Sequence, residues 1–324
     1  MSFSVAKVPS QVSRLQEAEV DFIAKAPVGY DIRFPTILER IAAVCVSTFF
    51  YLSQKFSTTF PFALRTKEWL YKREYFSPVT IQTADGVKLD AVIKRSSKNT
   101  NRAVLVSLGL GDQFESLADP ASLAFAISKF VEQKLGDVTF LAFNVRGKRD
   151  STGYYIPRFF DLDVFSAYQY LMAKERFHPK NIIGYGHSLG AHSLLRGAHL
   201  LQKEYPDIKL KLIADRTFYS MSEVIAARFG TGLIGKAITW LASSCGWDVT
   251  FKGCESILSS KTCAIVSLDD QTIPFHTAFS NRVDLKTHEI SVIEMPCDGD
   301  GRQDTHIDAL ARETEDLIVR SILR

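Results

Sequence analysis

Short apolar runs alternating with longer amphipathic segments limit the fold more than any other feature of this chain. The runs are Ala103–Leu108, Val138–Phe143, Ile182–Tyr185, Leu210–Ala214, Cys263–Leu268 and Glu289–Glu294. The segments predicted as helices are Ala121–Leu135, Asp161–Lys174, Leu189–Glu204, Met221–Ser244, Phe275–Asn281 and His306–Leu323. A continuously apolar strand must be covered on both faces, and strands joined by helical crossovers run parallel. Ahead of them Val79–Thr83 and Val87–Lys94 flank Asp85-Gly86, a strong hairpin signal. The expectation is an α/β protein with about eight strands in a mostly parallel, helix-flanked sheet whose first pair is antiparallel.

Composition excludes several other classes. The 324 residues are 46% hydrophobic with 18 Gly and 11 Pro, ordinary for a globular chain and too few Gly and Pro for a low-complexity one. No repeat period is visible, against a solenoid or propeller. Lys and Arg number 39 against 36 Asp and Glu, so the whole chain is no nucleic-acid-binding polycation. The excess is local: residues 1–102 carry 15 basic against 9 acidic side chains. Cys45, Cys245, Cys254, Cys263 and Cys297 show no C-x-x-C spacing, which argues for reduced, buried thiols rather than a zinc or redox site. In Asp298-Gly-Asp-Gly-Arg-Gln-Asp304, Arg302 and Gln303 stand where a calcium loop needs a ligand and a glycine. Neither metal nor cofactor is expected.

Residues 1–76 are read as a helical N-terminal extension and 77–324 as the α/β domain. Met1 to Asp21 has no apolar stretch and contains Glu17, Glu19 and Asp21, so no signal peptide is expected. The longest apolar run, Ile41–Leu52, has twelve residues, short of the ~20 needed to span a bilayer. Leu38, Ile41, Cys45, Phe49, Leu52 and Phe56 recur at helical steps. Arg65-Thr-Lys-Glu-Trp-Leu-Tyr-Lys-Arg73 follows, basic and aromatic together. Two arrangements suit this pattern. The helix packs on the domain, or residues 37–73 meet an anionic membrane surface or a second subunit. Residues 216–262 exceed a single crossover. Met221–Ser244, small and apolar and broken by Gly230, Gly232 and Gly235, is expected as a small helical lid, with an extended crossover as the alternative.

Chemistry enters at Asn181-Ile-Ile-Gly-Tyr-Gly-His-Ser-Leu-Gly190. Gly186-His187-Ser188-Leu189-Gly190 is a G-x-S-x-G after an apolar run and before a helix. A sharp strand-to-helix turn exposes the central hydroxyl, tolerates only small residues two positions away, and aims helix N-terminal amides at an oxyanion. Ser188 is therefore the candidate nucleophile; the alternative is an ordinary βα turn with a capping serine. Of the seven histidines, only His306 follows the last run and precedes the last helix.

With these residues in place, 79–324 resembles the α/β-hydrolase fold. The resemblance implies the order Ser, acid, His, with the acid after a late strand. Asp269-Asp270-Gln-Thr-Ile-Pro274 follows Cys263–Leu268, and the family's Asp, two variable residues, aliphatic, Pro register selects Asp270, with Asp269 as the alternative. His306 is implied as general base. Val106-Ser-Leu-Gly-Leu-Gly-Asp112 stands where the family has its oxyanion loop, Leu108-Gly109 replacing the usual His-Gly. The amides of Leu110 and Leu189 are the implied donors, with Gly111 a near competitor. Asn144-Val-Arg-Gly-Lys-Arg-Asp-Ser-Thr-Gly153 resembles the family's arginine-glycine loop, with Arg149 where glycine is common and Arg146 in a structural role. Ala214-Asp215-Arg-Thr-Phe-Tyr-Ser220 and Trp247-Asp248 look most like small-lidded serine hydrolases, and Asp215 is expected as a helix cap, with an alternative acid as the second reading. The chain, with its helical extension, also resembles hydrolase-like effectors of intracellular bacteria such as Legionella and Chlamydia. That resemblance implies a cytoplasmic protein delivered into a host cell, membrane-associated if the extension binds lipid.

The implied activity is cleavage of an ester-like acyl bond, as by a lipase or esterase, through a Ser-His-Asp triad and without cofactor. The partner is a small-molecule or lipid acyl substrate, not nucleic acid. Thioesterase, peptidase and acyltransferase activity use the same residues. A non-catalytic interaction protein on a hydrolase scaffold is the contrasting class.

Overall fold

The computed structural model describes residues 21–44, 67, 69–72, 75–254, 257, 261–283, 290–295, 306 and 309–323. Its strands are β1 (Phe22–Ile23), β2 (Ser77–Gln82), β3 (Lys88–Lys94), β4 (Ala103–Ser107), β5 (Thr139–Phe143), β6 (Ile182–His187), β7 (Lys211–Asp215), β8 (Lys261–Ser267) and β9 (Ile290–Met295). They form one sheet in the order β1-β2-β3-β5-β4-β6-β7-β8-β9. β3 runs antiparallel to β2 and β5, and the remaining neighbours are parallel. The sheet thus has nine strands rather than about eight. The extra one, β1, is too short to show any period, and its flanks hydrogen-bond to the edge of β2 through Asp21 N to Thr80 O and Ala24 N to Gln82 O.

Both faces of the sheet are dry, as the continuous apolar runs require. Along β4, Ala103 and Leu105 join one core cluster while Val104 and Val106 join the other. Helices α2 (Phe160–Ala173) and α3 (Leu189–Glu204) cover the first face. Helices α1 (Leu123–Phe130) and α6 (Arg312–Leu323) cover the second. Between β7 and β8 lie α4 (Met221–Phe229) and α5 (Leu233–Ser244).

Three helix expectations change. Met221–Ser244 is two helices, because Gly230-Thr231-Gly232 interrupts it and Gly230 takes φ +75°. Phe275–Asn281 forms two 3-10 turns instead of a helix. Ala278 between them is drawn extended to bridge Phe218, and Phe279 N donates to Thr217 O. The last helix begins at Arg312 rather than near His306.

The N-terminal segment is helical from 37 to 44. Its start is a capping box: Thr36 Oγ1 accepts from Glu39 N at 3.3 Å, and Glu39 Oε2 accepts from Thr36 N at 2.7 Å. Glu39 is only 1% exposed and is held by Arg158, while Ala43 packs with Ile156 and Phe159. The ion pair, buried at its carboxylate, therefore sets which side faces the domain. Leu38 and Ile41, expected in the packed stripe, point outward instead. Downstream, Lys67 bonds Asp90 of β3 at 2.6 Å and also Asp150. Among the described residues no helix is long and apolar enough to cross a membrane. The rest of the Ile41–Leu52 run, Cys45, Cys297 and the 298–304 loop lie outside the described residues.

Candidate active site

β6 ends at His187, and α3 begins at Leu189. Ser188 between them takes φ +54° and ψ −127°, the strained corner expected of the G-x-S-x-G. The elbow fits because its flanks lack side chains. A Cβ on Gly190 would lie 2.3 Å from the Ser107 carbonyl oxygen and 2.4 Å from that of Leu108. Both obstacles are backbone, so Gly190→Ala is expected to destabilise the fold by about 2–3 kcal/mol. Urea denaturation measures this, and an unchanged midpoint would contradict the elbow packing. Ser188 N donates to Asp215 O at 2.9 Å, and Thr217 Oγ1 donates to Ser188 O at 2.8 Å.

The chain's closure brings three expected residues together. Ser188 Oγ donates to His306 Nε2 at 2.9 Å, and His306 Nδ1 donates to Asp270 Oδ2 at 2.8 Å. The tautomer follows from the partners, since a carboxylate only accepts. Asp270 Oδ1 accepts from Thr272 N at 2.9 Å and Ile273 N at 2.7 Å, which fixes the carboxylate's rotamer. All three residues are buried. Asp269, the alternative acid, is exposed.

The loop after β4 lies against the serine: a Cβ on Gly109 would sit 3.3 Å from Ser188 Cβ. Leu110 is half-buried and Gly111 exposed. Leu189 N–H, the first amide of α3, has no acceptor within its own helix. The loop is held from behind by Lys148, whose Nζ donates to Leu110 O at 3.1 Å, to Gly109 O at 3.3 Å and to Asp112 O. Burial pulls this ammonium down to about 8, against the charges of Asp112 and Glu115. Sequence reasoning missed Lys148, because nothing local marks a lysine that reaches back 36 residues or more.

His187 was also missed as a site residue. Its Nε2 donates to His306 O at 2.8 Å, tying the elbow to the backbone that carries the base. Burial pushes His187 and His192 down to about 3, so both are neutral near pH 7. His192 Nδ1 donates to Phe218 O, and its ring stacks on Phe218 at 4.7 Å. Between about pH 3 and 6.5 the unfolded chain binds protons at these histidines that the folded chain refuses. Stability thus rises with pH across that window, by up to about 1.4 kcal/mol per pH unit for each. Asp90, raised by burial to about 6 against Lys67, acts in the opposite sense below that pH. His192→Phe is expected to flatten the pH dependence by one histidine's share. Urea midpoints at several pH values check this, and an unaltered slope would refute it.

Asp215 is not the helix cap expected of it. It is fully buried and receives Arg216 Nε at 2.7 Å, Arg216 Nη2 at 2.9 Å and Tyr185 OH at 2.8 Å. Burial raises its pKa, but the guanidinium more than offsets this and holds the carboxyl below its ordinary range. Arg146 ties loops together: it donates to Asp163 at 2.7 and 2.9 Å and to Asp85 in the hairpin turn at 2.6 and 3.2 Å. Among the described residues no group of His, Cys, Asp and Glu is arranged to hold a metal.

The sheet order, the strained serine corner and the crossover helices define an α/β-hydrolase fold. The chain belongs to the family described as Chlamydia CHLPS protein (DUF818), which matches residues 37–271. Among solved structures it is similar to an α/β hydrolase from Vibrio vulnificus, at 16% identity and a TM-score of 0.63, covering 92% of this chain and 98% of that one. It is also similar to the esterase Pf2001 of Pyrococcus furiosus, at 17% identity and a TM-score of 0.55, covering 77% and 92%. Est1E of Butyrivibrio proteoclasticus gives 13% identity and a TM-score of 0.53, covering 76% and 99%. No curated protein matches the chain.

Proposed function

We propose that this chain is a serine hydrolase that cleaves an ester-like acyl bond through a covalent acyl-enzyme. One observation carries the reading: the buried hydrogen-bonded series Ser188–His306–Asp270, with the serine on a strained turn at a helix N-terminus.

In this mechanism Ser188 Oγ attacks the substrate carbonyl while its proton passes to His306 Nε2. Asp270 stabilises the resulting imidazolium through Nδ1–H and keeps the ring oriented. The negative oxygen of the tetrahedral intermediate accepts from the amides of Leu110 and Leu189, a contribution of about 3–4 kcal/mol per donor in comparable sites. Collapse expels the alcohol, which takes the proton from His306. Water then enters, loses a proton to His306 and releases the acid by the same sequence. Helices α4 and α5 act as a lid in this reading. Within them only Gly235 is buried, and their roots, Ser220 and Thr250, bridge each other close to the elbow's Thr217 brace.

Thioesters, amides and transfer to an acceptor other than water use the same residues. The test is therefore a panel: fluorophosphonate labelling, then turnover of p-nitrophenyl esters of increasing chain length, an acyl thioester and a peptide. Labelling with preferred ester turnover supports the proposal. Turnover of peptide alone overturns the ester assignment, and no labelling of the folded protein overturns the hydrolase itself.

A further inference from the structure

The helical segment 37–44 is amphipathic in reverse. Its carboxylate, Glu39, is buried against Arg158, while Ile37 (76% exposed), Leu38, Ile41 and Val44 face outward. Across from it, α4 and α5 behave the same way. Leu233 is 88% exposed, Trp240 is 70% exposed, and Phe229, Ile234 and Leu241 are also open. Leu38 and Ile41 from the first element and Met221, Ile225, Trp240 and Leu241 from the second line an apolar groove of about 620 Å³. Half of the large exposed apolar side chains among the described residues sit on these two elements. Scattered single apolar residues need no explanation, but a contiguous face of this kind does.

Charge indicates what covers it. The two elements carry Arg40, Arg228 and Lys236 on the exposed side. Of their two carboxylates, Glu39 is buried against Arg158, and Glu223 is paired at the surface with Arg282 at 3.2 Å. A face that is apolar at its centre, rimmed by cations and carrying an exposed tryptophan matches the chemistry of an anionic bilayer surface. A second copy presenting the same rim would set cations against cations.

We propose that the segment 37–44 and helices α4 and α5 together form a face that docks on anionic lipid membranes. Ile41, Leu233 and Trp240 enter the headgroup boundary, and Arg40 and Lys236 meet the lipid phosphates and carboxylates. Docking is independent of the acyl chemistry proposed above, and an inactive Ser188→Ala protein docks equally.

Flotation of the full chain tests this on vesicles of mixed phosphatidylserine and phosphatidylcholine, with phosphatidylcholine vesicles alone in parallel. The wild type is expected to float with the anionic vesicles, less with the neutral ones, and to be released as salt rises to about 1 M, where charges are screened beyond ~3 Å. Ile41→Asp combined with Leu233→Asp is expected to cut the bound fraction at least about tenfold. Arg40→Glu combined with Lys236→Glu is expected to do the same on anionic vesicles only. All four positions are exposed, so each variant is expected to stay folded, which thermal denaturation checks before its flotation is compared with that of the wild type. Absence of wild-type flotation, or equal flotation of all variants, overturns the proposal. So does a wild-type dimer that the Asp variant converts to monomer while vesicles bind neither, because the face would then join two copies. Loss of labelling with flotation intact would count against the hydrolase reading and leave membrane docking standing.

Discussion

Ser188→Ala is expected to abolish covalent labelling by a fluorophosphonate and to lower kcat for ester hydrolysis by about 10⁴–10⁶-fold. The size follows from the geometry. Ser188 Oγ is the atom bonded to His306 Nε2, and in the proposed mechanism its removal leaves binding and amide donors but no nucleophile. His306→Ala is expected to cost about as much, and the double variant scarcely more, because members of one proton relay are not additive. Asp270→Asn keeps the backbone contacts to Thr272 and Ile273 but loses the carboxylate that receives Nδ1–H. A loss of about 10⁴-fold is expected there. Active-site titration with the probe, followed by kinetics on a single ester, separates these variants. Undiminished labelling in Ser188→Ala would place the nucleophile elsewhere.

Arg216→Met is expected to destabilise the protein by about 3–5 kcal/mol, comparable with a large share of a domain's net stability. Arg216 is among the largest fully buried side chains, and both guanidinium bonds to Asp215 are made without solvent. Replacing it leaves a buried carboxylate whose remaining side-chain partner among the described residues is the Tyr185 hydroxyl. The double change Arg216→Met with Asp215→Leu removes both charges and is expected to recover most of the loss, since paired removal spares the uncompensated charge. Because Asp215 O receives Ser188 N, labelling by the probe should fall in the single variant beyond what unfolding explains. Urea denaturation of the three proteins decides the matter. A single variant as stable as the wild type would show that the pair contributes nothing.

Much of the scaffold was legible because burial leaves a local signature. Val104 and Val106 feed one core cluster, Ala103 and Leu105 the other, and only a strand covered on both sides asks for that. Ser188 was legible through the G-x-S-x-G pattern, although only Gly186 answers to a neighbour in sequence, Ala191, while Gly190 makes room for the distant carbonyls of Ser107 and Leu108. The split of Met221–Ser244 was half visible in its glycines, whereas the 3-10 turns at Phe275–Asn281 were not. Their geometry is dictated by Phe218 and Thr217, more than fifty residues earlier.

The sequence by itself determined the layered α/β architecture, the strained serine corner and the chain order in which Ser188, Asp270 and His306 occur. Periodicity and the G-x-S-x-G pattern are local signals, readable without knowing what lies opposite. Only the tertiary structure decided that Asp270 rather than Asp269 faces His306, that Asp215 serves Arg216, and that Lys148 and His187 brace the site. It alone also showed that the N-terminal helical segment turns its carboxylate inward and its leucine and isoleucines outward. Each of these depends on which distant charge or carbonyl the folded backbone brings within about 3 Å, the range over which a hydrogen bond forms. A helical period fixes which side chains share a face, but the half-buried Arg158 selects which face turns toward the protein.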